Sequence, residues 1–511
     1  MAENKAIKRK FRVLFIYYNP RRMSLVPPSI AIFSRLLKSA GVEVALFDTT
    51  LYRGDEESDS DSVEEKNLTV KPFSDNLNEY TDKIKYKTTD IYADLEKTVS
   101  DFRPDLLAVT AVESTFLGTI SLLKSIRRHG IPTILGGVFA TFASEIAISY
   151  PEIDMICIGE GEGAICELAL KMKSGEEYSN VPNLWVKSPG GRIVKNKIRP
   201  LLSLDDIPLP DMSIFEPGRF YRAMGGRIYK MFAVETHRGC VFSCGFCNSP
   251  LQNKLYKEGT KQSYFRYRSI PRVKEEIDYY IGLGAEYMFF WADNFFAYPQ
   301  KQIDEFCEMY SGVRLPFYCQ SHPENLTVER VKSLKNVGMQ RIGIGIEHGN
   351  EEFRRKVVNR NYSNKTLIGR LKMLTDLGVE YSVNNIIGFP DETPELAMDT
   401  VDLNRQHAAF DISCSIFTPF HGTPLRKLAV EKGYLKDTDL IAPSNSDSSV
   451  LVMPQFTPSQ ILGKRRTFNL YIKFPKERWG EIAQAERLTP EGDKIWERLR
   501  DECVASYIPK I

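Results

Sequence analysis

The 511-residue chain is defined first by what it does not contain. No apolar run approaches the ~20 residues a membrane-spanning helix requires, and no apolar stretch of signal-peptide type follows Met1, so a cytoplasmic protein is expected. With 68 basic and 66 acidic residues the net charge is +2, which provides no field to gather nucleic acid, and none is expected as a partner. There is no G-x4-G-K-[ST] loop to cradle a nucleotide phosphate. G-x-G-x-x-G is also missing, as is an acidic residue at nicotinamide spacing, so a dinucleotide site is disfavoured. Histidine is scarce at six residues, and none precedes His129. What remains is a chain with 42% hydrophobic and 26% charged residues, ordinary for a globular protein and long enough for two or three domains.

Against that background one stretch stands out, Glu235-Thr-His-Arg-Gly-Cys-Val-Phe-Ser-Cys-Gly-Phe-Cys-Asn-Ser-Pro. Cys240, Cys244 and Cys247 stand at Cys-x3-Cys-x2-Cys, with no fourth cysteine nearby. Three thiolates suit an iron–sulfur cluster with one iron left open, whereas a structural zinc takes four ligands in two separated pairs. A zinc knuckle completed by His237 is the alternative. Met231–Thr236 reads as a buried strand leading into the loop, and Phe246 is suited to shield a cluster. The other six cysteines, Cys157, Cys166, Cys307, Cys319, Cys414 and Cys503, read as mostly buried free thiols. The cysteine stretch resembles the cluster-binding loop of the radical S-adenosylmethionine (radical SAM) superfamily.

The first third alternates apolar strands (Phe11–Tyr18, Val42–Asp48, Leu106–Val112, Thr133–Gly137, Met155–Glu160) with helical patterns near Ser29–Ser39, Thr115–Arg128 and Ala140–Ser149. That pattern implies a doubly wound parallel sheet, with ligands beyond the carboxyl ends of its strands. An acidic, serine-rich run at about 53–66 reads as a flexible surface insertion. Ahead of a radical SAM loop, this domain resembles the cobalamin-binding domain of one branch of the superfamily. The resemblance lies in the Asn19-Pro20 turn with Pro27-Pro28, Gly136-Gly137, and the Gly159-Glu160-Gly161-Glu162 loop. It implies cobalamin contacts from Thr110, Glu113, Ser114, Gly136, Gly137, Thr141, Gly159, Glu160, Gly161 and Glu162. The Asp-x-His-x-x-Gly motif that ligates cobalt in other cobalamin proteins is absent, so the lower face of the corrin is expected to carry no histidine.

Two short strands at Asn183–Lys187 and Arg192–Asn196, followed by a proline-rich run, read as a linker. Strand–helix repeats resume with strands at Phe232–Thr236, Tyr287–Asn294, Phe317–His322, Arg341–His348, Tyr381–Phe389 and Ile412–Pro419. Six units are fewer than a closed eight-stranded barrel and match the partial barrel of the radical SAM family. The expected α/β architecture is therefore a flavodoxin-like (Rossmann-type) cobalamin-binding domain at 1–180, a linker at 181–215, a partial (β/α)6 radical SAM barrel at 216–435, and an α-rich closing region at 436–511. The closing region is read as elements over the open side of the barrel, with a composition suited to a substrate lid.

The resemblance implies that Cys240, Cys244 and Cys247 hold a [4Fe–4S] cluster. It assigns S-adenosylmethionine contacts to Asp293, Asn294, Gln320, Glu347, Arg360 and Asn385. The residues alone also allow a turn at Asp293-Asn294 and a salt bridge at Arg360. His421 is a candidate general base, with His322 and Gln320 able to reach cofactor or substrate. The chemistry implied is hydrogen abstraction by a 5′-deoxyadenosyl radical and methyl transfer from methylcobalamin to a carbon of a small molecule, fed by an external flavodoxin- or ferredoxin-type electron donor. Cyclisation or ring rearrangement without methyl transfer is the alternative outcome. A non-enzymatic cobalamin or metal sensor is a remote one. A methylthiotransferase is disfavoured because the first domain lacks a second cysteine trio.

Overall fold

A computed structural model describes residues 9–20, 26–52, 83–188, 190–441 and 448–507, and the acidic run at 53–66 lies outside them. The first sheet begins with five parallel strands, β1 Arg12–Tyr17, β2 Glu43–Asp48, β3 Leu106–Thr110, β4 Thr133–Gly136 and β5 Met155–Cys157. They are ordered β2-β1-β3-β4-β5, the doubly wound arrangement whose ligand crevice opens where the order reverses. The alternation inside β1 shows why both faces must be covered. Val13 and Phe15 enter one buried cluster while Leu14 and Ile16 enter another. The strand pair assigned to a linker instead extends this sheet: β6 Leu184–Lys187 pairs antiparallel with β5, and β7 Ile193–Lys195 pairs with β6. A helix at Ile91–Phe102, which no expectation covered, packs over β1 and β2.

The second sheet holds six parallel strands, β9 Arg227–Glu235, β12 Tyr287–Trp291, β13 Phe317–Ser321, β14 Met339–Glu347, β15 Glu380–Ile387 and β16 Asp411–Ile416. They coincide with the six read from sequence, and β8 Tyr221–Met224 adds an antiparallel edge beside β9. Two short strands, β10 His237–Arg238 and β11 Arg266–Tyr267, pair just beyond the end of β9. Several helices start on a Ser or Thr whose side chain accepts the N–H three residues on, as Ser269, Thr327, Ser363, Thr393 and Thr423 do. Each such cap satisfies a backbone donor that a helix start otherwise leaves open, so the helix start is fixed at a defined residue after five of the six strands, the exception being the helix at Gln300–Tyr310 behind Pro299.

Helices Pro458–Lys473, Trp479–Ala485 and Pro490–Tyr507 make up the closing region. The first packs on β16 and on helix Pro394–Asn404, and its buried Arg465 donates to Cys414 O at 3.2 Å. One apolar core runs from Val13 and Ile165 through Phe290 to Phe468 and Leu499, so the first sheet, the barrel and the closing helices share an interior. Among the described residues no helix is long and apolar enough to cross a membrane. All nine cysteines are free, and of the six scattered ones Cys166 and Cys307 are half-buried while the rest are buried.

Candidate functional site

A cavity of about 730 Å³ lies where the strand ends of the two sheets meet. From the first sheet it is lined by Thr110, Gly136, Gly137, Thr141, Gly159, Glu160, Gly161 and Glu162, eight of the ten residues expected to meet cobalamin. Apolar side chains including Ile30, Phe33, Val138 and Ile165 complete that wall. The opposite wall belongs to the barrel and includes Glu235, Arg238, Phe246, Cys247, Ser249, Trp291 and Asp293. A concave, largely apolar chamber with a few convergent polar groups suits a large planar cofactor. Among the described residues none beyond Phe420 lines this chamber, so the closing helices stand away from it and not over it as a lid.

Two expected contacts do not reach it. Glu113 is buried elsewhere, with its carboxylate 2.7 Å from His421 Nδ1 and accepting the backbone N–H of His421 at 3.1 Å. Ser114, beside it on helix Glu113–Ile126, is not a lining residue either. The same contact redefines His421. Its Nε2 meets Asp437 O at 3.2 Å and its ring packs edge-on against Phe139, so it is a structural link between domains and not a base facing substrate.

The loop glycines also have a second purpose. Gly159 has φ +74°, and a Cβ there would stand 2.3 Å from Tyr256 Oη, whose hydroxyl accepts the Glu160 N–H at 2.6 Å. Tyr256 belongs to helix Ser249–Thr260 of the barrel, so the glycine lets the two domains close on each other.

Glu160 and Glu162 line the cavity, yet their carboxylates are engaged across the domain boundary. Arg238 Nη1 lies 3.0 Å from Glu160 and 2.6 Å from Glu162, while its Nε lies 2.7 Å from Glu235. Arg266 also pairs with Glu160, and Arg268 pairs with Glu235 at 3.2 Å. Burial alone would push the Glu235 carboxyl up, but the Arg238 and Arg268 guanidinium groups outweigh it and hold that carboxyl below its ordinary value. Arg238 and Arg266 went unnoticed in sequence. Their placement two and one residues into β10 and β11 becomes meaningful only when those strands pair beside the glutamate loop.

The cysteine loop follows β10. Burial pushes the Cys240 thiol up to about 11 and the Cys247 thiol up to about 12, so taking up a metal centre displaces protons from both. The three cysteines sense one another electrostatically. Yet among the described residues no three His, Cys, Asp or Glu side chains are close enough to hold a single ion. Three free cysteines on one short loop fit a cluster that offers each sulfur its own iron. His237 is buried against Phe265 and Tyr298, with Nδ1 3.2 Å from Thr236 Oγ1, and it also lines the chamber.

Around the loop, Ser249 donates to Cys247 Sγ through its N–H at 3.4 Å and to Asp293 Oδ2 through its hydroxyl at 2.8 Å. Burial pushes the Asp293 carboxyl up, partly offset by that hydroxyl. Asn294, by contrast, is buried and committed: it donates to Asn325 at 2.7 Å and accepts from the His322 N–H at 3.2 Å. His322 stacks on Phe242 of the cysteine loop with ring centroids 3.7 Å apart, and burial, then Arg360 and Arg370, push it down to about 2. It is neutral and anchors the loop.

Glu347 ends β14 with φ +68°, a left-handed conformation costing roughly 1–2 kcal/mol in a residue with a Cβ. The β14–β15 register shifts there, turning its carboxylate to within 3.1 Å of Arg360 Nη2. Burial raises the Glu347 carboxyl and the guanidinium opposes it.

Strand alternation sorts the rest. Met231, Tyr318 and Phe289 pack together inside the barrel, so Glu235, Gln320 and Trp291, each an even number of residues further on, share that inner face. Gln320 is therefore where expected, in reach of the lumen, its amide 3.4 Å from Tyr318 Oη. Asn385 is not. It is fully buried on the outer face, accepting from Asn404 Nδ2 at 2.9 Å and donating to Ser413 O at 3.0 Å. Its neighbour Asn384 faces the lumen, exposed apart from a 2.8 Å hydroxyl bond from Ser413. Period-two reading of Tyr381, Val383 and Ile387 as the buried face would have found it.

Comparison with known proteins agrees with this geometry. The model of the Radical SAM superfamily matches residues 234–403 and that of the B12 binding domain matches 80–169. An uncharacterized methyltransferase of Pyrococcus horikoshii is 26% identical over 389 residues, covering 75% of this chain and 81% of the relative. The anaerobic magnesium-protoporphyrin IX monomethyl ester cyclase of Rubrivivax gelatinosus is 24% identical over 347 residues, covering 65% and 60%. Among solved structures, the radical S-adenosylmethionine methyltransferase TsrM of Kitasatospora setae, with cobalamin and a [4Fe-4S] cluster bound, shares the fold at TM-score 0.62 and 17% identity over 92% of this chain and 82% of that one. The cobalamin-dependent S-adenosylmethionine radical enzyme OxsB does so at TM-score 0.65 and 15% identity, over 97% and 72%. With one chamber between its first sheet and its six-stranded barrel, this chain carries a B12 binding domain followed by a Radical SAM domain, the domain pair of a cobalamin-binding radical SAM enzyme.

Proposed function

We propose that the chain is a C-methyltransferase acting on an unactivated carbon of a small molecule, with a [4Fe–4S] cluster, S-adenosylmethionine and cobalamin as cofactors. The observation that carries this is the shared chamber, whose walls come from the B12-type strand ends on one side and from the cluster loop through Cys247 on the other. A substrate lying between them touches both halves. When bound, the cofactors supply a hydrogen-abstracting radical and a transferable methyl group.

The protein's own contribution is placement. Thr110, Gly136, Gly137 and the Gly159–Glu162 loop offer the cobalamin wall. Asp293 lines the chamber, Gln320 and Asn384 face the barrel lumen, Glu347 ends β14 beside Arg360, and the Arg238 network seals the seam between domains against water. An external one-electron donor of flavodoxin or ferredoxin type and a cytoplasmic location complete this reading.

Methyl loading tests it without knowledge of the substrate. The anaerobically reconstituted chain, carrying reduced cobalamin and given S-adenosylmethionine, is expected to release one S-adenosylhomocysteine per cobalamin. Release of 5′-deoxyadenosine with no S-adenosylhomocysteine under any reductant overturns methyl transfer. The similarity to a cyclase, across 60% of that relative, favours cyclisation as the second reading, and it would then stand.

A further inference from the structure

Arg360 was expected to meet the S-adenosylmethionine carboxylate, but its guanidinium is held on three sides by the protein. Nη1 donates to Gly345 O at 2.6 Å, Nη2 lies 3.1 Å from Glu347 Oε1, and Nε donates to Cys244 Sγ at 3.1 Å. Its carbon centre sits 5.7 Å from the ring of Phe246, so the cation is walled by the cysteine loop itself.

The backbone is shaped to receive it. Asn359 has φ +59° at the end of the Arg354–Val358 turn, and the Arg360 N–H then reaches back to Arg354 O at 3.1 Å. On the other side Gly345 leaves room, since a Cβ there would stand 2.3 Å from Glu347 Oε1 and 3.0 Å from Arg360 Nη1. The irregular end of β14 brings Glu347 round to the same group. An arginine keeps its proton throughout the physiological range, so Arg360 is a cation at this sulfur. The left-handed turn at Asn359 and the irregular end of β14 therefore converge on one N–H···S contact, with Gly345 leaving the space for it.

We infer that Arg360 is a positioning residue for the cluster, donating a charged hydrogen bond to the Cys244 sulfur that raises the cluster's reduction potential. Taking up one electron makes the cluster more negative. A donor on a ligand sulfur stabilises that state, and hydrogen bonds to the sulfurs and local charge are the levers by which proteins set such potentials. Glu347 acts in the opposite sense by neutralising the guanidinium beside the cluster. The pair is thus a built-in setting, with the cation on the sulfur and the anion behind it. This inference rests on Cys240, Cys244 and Cys247 holding a [4Fe–4S] cluster.

The test is the midpoint of the one-electron reduction, 2+ to 1+, of the reconstituted full chain without S-adenosylmethionine, with dithionite as reductant and the reduced cluster followed by electron paramagnetic resonance. Arg360→Met is expected to move the midpoint negative and Glu347→Gln to move it positive. Arg360→Lys, which keeps the charge but loses the planar donor, should fall between wild type and Arg360→Met. Opposite signs cannot come from general loosening of the loop, and the Lys and Gln variants keep the test open if the Met variant holds no cluster. Unchanged midpoints, with S-adenosylmethionine affinity of Arg360→Met lowered tenfold or more, would overturn the inference and return Arg360 to the carboxylate. Failure of the wild-type chain to hold iron and sulfide would instead overturn the reading of the cysteine loop.

Discussion

Replacing Arg238 by Met tests how the two domains are held around the chamber. Arg238 is the ion partner of Glu162 among the described residues and is shared with Glu160 and Glu235, all of these side chains being about one-eighth exposed or less. Glu160 retains Arg266 and Glu235 retains Arg268, so the orphaned charge is that of Glu162. Removing one partner of a buried pair costs about 3–5 kcal/mol, because the remaining charge stays desolvated. Since Glu160 and Glu162 belong to the first domain and the arginines to the barrel, that loss falls on domain docking. It corresponds to a factor of about 150 to 5,000.

Two readouts follow for Arg238→Met. Amide exchange of helix Glu162–Ser174 should accelerate, and hydroxocobalamin, titrated by its visible absorbance, should bind at least tenfold more weakly. Arg238→Met/Glu162→Gln removes the orphaned charge and should recover a large part of both. A single variant with wild-type protection and affinity, or a double variant worse than the single, would refute the reasoning.

Other expectations concern residues whose roles the fold reassigns. Asn385→Ala should destabilise by about 1–3 kcal/mol by leaving Asn404 and Ser413 O without their partner, as denaturant unfolding would show, whereas Asn384→Ala should leave stability unchanged and weaken S-adenosylmethionine binding in equilibrium dialysis. His421→Gln should leave the pH profile of 5′-deoxyadenosine release unaltered while loosening the contact with Glu113, seen as faster exchange at the start of helix Glu113–Ile126. Acid should destabilise the apo-protein: burial pushes His237 down to about 4, below its unfolded value near 6.5, so the unfolded chain binds the proton first. Its contribution, on the order of 3 kcal/mol, is present above pH 6.5 and disappears as pH falls toward 4; urea midpoints in His237→Phe should flatten across that window. Cys244→Ala should lose bound iron and sulfide, as metal analysis after reconstitution would show.

Several of these expectations arise from the difference between adjacent residues. Cys240, Cys244 and Cys247 were legible because ligand spacing is a local property, and the six barrel strands because apolar runs and capped helix starts are local too. The glycines at the strand ends were legible for the same reason, though Gly159 also answers to Tyr256, a partner 97 positions away that no local pattern announces. Asn385 lies on the buried face and Asn384 on the lumen side because a motif names a stretch, while the pleat decides which of two neighbours faces inward. The linker strands were misplaced because β6 becomes part of the first sheet only by pairing with β5.

The sequence by itself determined the chemistry-bearing loop, the two α/β units and their order, because ligand spacing, apolar periodicity and caps act over a few residues. Only the tertiary structure decided that Glu160 and Glu162 clasp Arg238, that Glu113 holds His421, and that Arg360 turns to Cys244. Those are choices of partner for buried charges, and a buried charge takes whichever counter-charge folding brings within about 3 Å, a distance set by contacts remote along the chain.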